Sequence, residues 1–117
     1  MNIITLVLLG LVLAVLVFKF IGARLMVDQR LVKAKIEEGA LILDVRTPGE
    51  YSSGHYPGAI NIPLDQIGRR INELGDKTRP IVVYCLSGAR SYSARSILMA
   101  QGFRDVVNGG GIGMMPR

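Results

Sequence analysis

Cys85-Leu86-Ser87-Gly88-Ala89-Arg90-Ser91 directly follows the apolar run Ile81-Val82-Val83-Tyr84, which sets the only cysteine of the chain where a buried strand turns into a helix. A thiol at a helix N-terminus faces unpaired backbone N–H groups and the positive end of the macrodipole, which favour its nucleophilic thiolate. The same N–H groups form a cradle for small anions. In the spacing C-x-x-G-x-R, Gly88 can take the left-handed backbone of a tight loop, and Arg90 brings a permanent cation to its rim. A structural cysteine closing a core strand fits this stretch alone equally well, because free cysteine is among the most buried residue types.

The upstream sequence decides between the two. Asp44-Val45-Arg46, Glu50-Tyr51, Gly54-His55 and Gly58-Ala59-Ile60-Asn61-Ile62-Pro63, together with the cysteine loop, resemble the rhodanese (thiosulfate sulfurtransferase) family. The resemblance covers about residues 25–112. It implies a rhodanese-like α/β domain, a small parallel sheet flanked by helices, and a sulfane sulfur moved from an anionic donor such as thiosulfate to cyanide or a thiol through a persulfide on Cys85. Leu86, Ser87, Gly88, Ala89, Arg90 and Ser91 would form the active-site loop, with Arg90 holding the donor or bracing the loop. Asp44, Arg46 and Glu50 would support it, the last two as an ion pair. The Gly-rich, Met-Pro ending is similar to that of the phage-shock type of small rhodanese.

No metal or organic cofactor is needed for this chemistry, and one Cys with one His supplies too few ligands for a zinc site. A single cysteine also leaves no internal disulfide and no resolving thiol, so the sulfur must pass to an outside acceptor, a protein thiol included. His55, in Gly-His-Tyr-Pro-Gly, reads as a turn-stabilising residue. Two other functions compete: a docking or sulfur-carrying module without turnover, and a phosphatase of the same fold. The latter needs C-x-x-x-x-x-R, and here the Arg follows one position sooner.

The elements that must position these residues are legible in the pattern. Asp28 caps a helix through Glu38 with Leu31, Val32 and Ile36 inward and Gly39 as its stop. Residues 41–45 form a buried strand, 47–58 a turn-rich segment, and 59–62 a short strand. Helical spacing of Ile67, Ile71 and Leu74 predicts a helix from Asp65 ending at Gly75. After the cysteine strand, a helix over 88–101 buries Ala94, Ile97 and Leu98, and a last strand holds Val106 and Val107. Gly109–Gly113 reads as flexible tail. Parallel sheets bind ligands beyond their carboxyl ends, where Asp44 and Cys85 would both emerge.

The chain is 117 residues long, 50% hydrophobic, with a mean hydropathy of +0.36. Residues 3–18 contain no charge, and continuing to residue 23 gives about 30 Å of helix, enough to span a bilayer if Lys19 snorkels. The expected organisation is a transmembrane anchor over 1–23, a rhodanese domain over 25–112 and a short tail over 113–117. The alternative is a cleaved export signal, for which the basic start and small-x-small site are unconvincing. The net charge of +5 is spread without aromatic interleaving, which argues against nucleic acid. Lys19, Arg24, Arg30, Lys33 and Lys35 lie beyond the anchor, against only the terminal amine before it. Single-pass attachment to the inner (cell) membrane with the domain in the cytoplasm is therefore expected, and periplasmic export is the alternative.

Overall fold

The computed structural model describes the backbone of every residue but Met26, and all side chains except those of 20–26. Its helices are α1 (Ile3–Leu25), α2 (Gln29–Glu37), α3 (Pro48–Ser52) and α4 (Ala89–Ala100). Its strands are β1 (Leu41–Asp44), β2 (Ile60–Asn61), β3 (Ile81–Cys85) and β4 (Val106–Gly111), which pair all parallel in the order β2-β1-β3-β4. Both central strands are short continuous apolar runs, as expected of strands covered on both faces. Every residue of β3 is buried.

One face of the sheet packs Leu43, Ile81 and Val83 against Ala94 and Leu98 of α4 and against Ile67 and Leu74. On the other face Ile42, Val82 and Tyr84 meet Val32 of α2 and Met115. Asp28 caps α2, its carboxylate accepting from the N–H groups of Arg30 and Leu31 at 3.1 and 3.3 Å. Leu31, expected inward, is 43% exposed, since the short helix turns only Val32 fully toward the sheet.

Three further expectations are corrected. The segment from Asp65 is not an α-helix but two 3-10 turns, Leu64–Arg69 and Ile71–Leu74, separated at Arg70; short pieces of this tighter helix still bring Ile67 and Leu74 to the core. The turn-rich 47–58 contains α3, started by a reciprocal capping box between Thr47 and Glu50 with Pro48 in the first turn. Gly109–Gly111 are buried residues of β4 and not loose tail. Their lack of side chains is what admits them: a Cβ on Gly109 would press on Met115, and one on Gly111 on the Leu86 carbonyl. Beyond them the chain is tied back by the Tyr56 hydroxyl, which donates to the Pro116 carbonyl at 2.6 Å.

In α1 every described side chain, up to Lys19, is exposed. Among the described residues no helix is long and apolar enough to cross a membrane, so the anchor expected over 1–23 finds no support as a spanning helix. The side chains of its last residues, 20–23, and of Arg24 lie outside the described residues.

Candidate active site

Cys85 is the last residue of β3, and Asp44, the last of β1, lies on the neighbouring strand, where it pairs in register with Tyr84. The carboxyl ends of the parallel strands thus bring together the two segments singled out in the sequence. Between Cys85 and α4 the chain turns through Gly88, whose φ of 103° is left-handed and whose backbone packs against β4, so that a Cβ there would sit 3.5 Å from the Gly110 Cα. No side chain caps α4, which leaves its first N–H groups free to face the loop.

The loop folds around the sulfur. The Gly88 N–H donates to Cys85 Sγ at 2.9 Å, and the Ser91 hydroxyl lies 3.4 Å from it. Burial pushes the Cys85 thiol up. The Ser91 hydroxyl and the backbone N–H groups of Ser91, Gly88 and Ser87 outweigh that and hold it below its ordinary value. Cys85 itself exposes no surface, whereas Leu86 beside it is 58% exposed.

Arg90 does not stand as a free cation. Its guanidinium grips Glu50 in a two-pronged ion pair at 2.7 and 3.0 Å, which joins α4 to α3 across the mouth of the loop. The Arg90 guanidinium, then the Thr47 N–H, hold the Glu50 carboxyl at about 2. Glu50 therefore serves the capping box and the ion pair together. The T-x-x-E capping signature was the signal that could have placed it.

The expected Arg46–Glu50 pair is not formed. Arg46 turns instead to Asp44, bonding its carboxylate through Nε and Nη2 at 3.1 and 2.7 Å, with Nη2 also donating to the Gly54 carbonyl. Asp44 exposes no surface and Arg46 only 5%, so each needs the other. The Tyr84 hydroxyl completes the cluster by donating to Asp44 at 2.7 Å, and burial first, with Asp44 beside it, pushes that phenol up to about 12. Asp44 orders its own strand exit in this way.

His55 stacks on Tyr51 with ring centroids 3.8 Å apart, and its Nδ1 lies 3.0 Å from the Tyr51 carbonyl. It borders a groove of about 560 Å³ formed with Ile36, Tyr56 and Met115, whose walls include no residue of the cysteine loop. Sequence reasoning passed over Asn108, which receives the Ser91 hydroxyl at 2.7 Å from β4. Nothing local to residue 108 signals that contact.

Several known proteins resemble this chain. A sulfurtransferase of Allochromatium vinosum is 46% identical over 71 residues, covering 61% of this chain and 65% of its own length. The thiosulfate sulfurtransferase PspE of Escherichia coli is 42% identical over 71 residues, covering 60% of this chain and 68% of its own. The chain thus spans just under two thirds of the first of these relatives. Among solved structures, a rhodanese with anions from E. coli superposes with a TM-score of 0.62 at 40% identity, over 66% of this chain and 94% of that one. The rhodanese-like domain, as a family, matches residues 28–111, and the chain belongs to it.

Proposed function

We propose that this domain is a sulfurtransferase that carries sulfane sulfur on Cys85. The observation that carries the reading is the sulfur's setting: Sγ at the end of β3, receiving the Gly88 N–H and adjoining the Ser91 hydroxyl at the start of α4. In the first half-reaction a lone pair of the Cys85 thiolate attacks the outer sulfur of thiosulfate. A new S–S bond forms, the donor's own S–S bond breaks, and its electron pair leaves on sulfite. The outer sulfur, now bearing the charge, remains within reach of the loop N–H groups, which act as preorganised donors. A thiolate or cyanide then attacks that sulfur and returns the Cys85 thiolate.

Arg90, neutralised by Glu50, acts here as a brace between α3 and α4, and donor recognition falls to the backbone N–H groups. Mass spectrometry after thiosulfate treatment tests the reading. Cys85 should gain one sulfur that a reducing thiol removes, and an unmodified cysteine after prolonged treatment would overturn it.

We also propose that α1 attaches the domain to the inner membrane. Residues 3–18 are uncharged and exposed around the whole helix, with no polar face to turn toward water. The basic residues that follow, among them Lys19, Arg30, Lys33 and Lys35, are the basis for proposing the cytoplasmic side. Protease added to intact spheroplasts should spare the domain; digestion from outside would reverse this orientation.

A further inference from the structure

The Ser91 hydroxyl has one hydrogen and faces three acceptors. Asn108 Oδ1 lies 2.7 Å from Ser91 Oγ, the Gly88 carbonyl oxygen 3.0 Å, and Cys85 Sγ 3.4 Å. The Asn108 amide is held in one orientation by the chain around it. Its Oδ1 accepts the Gly110 N–H at 2.9 Å while its Nδ2 donates to the Gly88 carbonyl at 3.4 Å, so a flipped amide would set donor against donor. A bulge supports this placement: Asn108 pairs with Val83 but Gly110 with Tyr84, which leaves Gly109 as the extra residue of β4.

We propose that Asn108 is a positioning residue for Cys85, whose amide oxygen takes the Ser91 hydrogen whenever Sγ is uncharged and yields it to Sγ when the thiolate forms. The inference rests on Cys85 being the nucleophile. In the thiol state the S–H donates to Ser91 Oγ and the hydroxyl points at Asn108. In the thiolate state the hydroxyl rotates to the anionic sulfur, the stronger acceptor. Once Sγ is bonded to a second sulfur, the charge sits on the outer atom and the hydroxyl turns back. No proton leaves Ser91 at any stage; only the direction of its O–H bond changes.

Asn108 therefore competes with the thiolate for a single hydrogen. Among the charged groups on the surrounding elements, Asp44 is matched by Arg46 at the end of β1 and Glu50 of α3 by Arg90 of α4, while Arg95 of α4 donates to the Val106 carbonyl. The 108–111 end of β4 carries no charge of its own.

The test is the pH dependence of iodoacetamide alkylation in the full chain, where the single cysteine makes the signal unambiguous. Asn108→Leu should lower the midpoint by about half a pH unit, the scale of one redirected hydrogen bond. The smaller Asn108→Ala should move it the same way and serves if the Leu variant does not fold. Ser91→Ala should raise the midpoint, and Ser91→Ala combined with Asn108→Ala should match Ser91→Ala alone, since the proposed exchange of the hydrogen runs through that hydroxyl. A midpoint unchanged or raised in the Asn108 variants, or a double variant displaced from Ser91→Ala, would overturn the proposal. Alkylation requires no sulfur donor, so failure of the sulfurtransferase reading would show separately, as an absence of sulfur on Cys85 after thiosulfate.

Discussion

Gly111→Ala isolates the effect of loop position on chemistry. Gly111 has φ −80° and ψ 155°, an extended backbone that alanine adopts freely, so the substitution introduces no conformational strain. Its methyl group, however, would fall closer than 3.0 Å to the Leu86 carbonyl oxygen, with Leu86 C at 3.1 Å and Ser87 Cα at 3.3 Å behind it. Both sides of this contact are backbone, so neither yields by a rotamer change. To restore ordinary contact, the loop must retreat by about 1 Å. That displacement falls on the residues next to the nucleophile. Catalytic geometry tolerates about 0.5 Å, and a 1 Å error costs about 100-fold. Thiocyanate formation from thiosulfate and cyanide should accordingly fall roughly 10- to 100-fold. Overpacking costs about 1–3 kcal/mol, so the domain should remain folded with a lower Tm. Gly113→Ala, with nothing within 4 Å of the added methyl, is the matched control and should leave both unchanged. Wild-type turnover in Gly111→Ala would refute the argument that β4 fixes the cysteine loop.

Cys85→Ser should abolish thiosulfate turnover while leaving the thermal melt near that of wild type, because the hydroxyl is nearly isosteric but not anionic at neutral pH. Arg46→Ala should destabilise the domain by about 3–5 kcal/mol in guanidinium unfolding, since it leaves the wholly buried Asp44 carboxylate without its cation. Glu50→Gln should lower Tm at neutral pH through loss of the Arg90 ion pair. Because the folded-state carboxyl sits at about 2, below its ordinary 4.5, the wild-type advantage is complete above 4.5, shrinks as pH falls, and disappears near 2. Melting both proteins across that window checks the sign.

Much of the domain was legible because it is encoded locally. The apolar runs of β1 and β3, the Asp28 cap and the helical spacing of Ala94 and Leu98 each act within a few residues, and each is found in the structure. Boundaries were less secure where side chains carry no pattern. Gly109–Gly111 looked like loose tail because glycine shows neither hydrophobic period nor polarity, yet backbone packing against the cysteine loop selects it. The segment 64–74 has helix-like spacing of its apolar residues, but its two short turns tighten to 3-10.

The sequence by itself determined that a lone thiol would stand where a buried strand meets a helix, with a glycine to turn the chain and backbone donors to face the sulfur. Those features depend on neighbours in the chain and on the free N–H groups that any helix start exposes. Only the tertiary structure decided which charges and hydroxyls answer one another. Arg90 meets Glu50 from 40 positions away, leaving Arg46 to Asp44, and Ser91 meets Asn108 from 17 away. Such partners are chosen by strand order and register: the sequence −1 and +1 charges are interchangeable until the parallel sheet sets their separations, and a hydrogen bond exists only within about 3 Å of its acceptor.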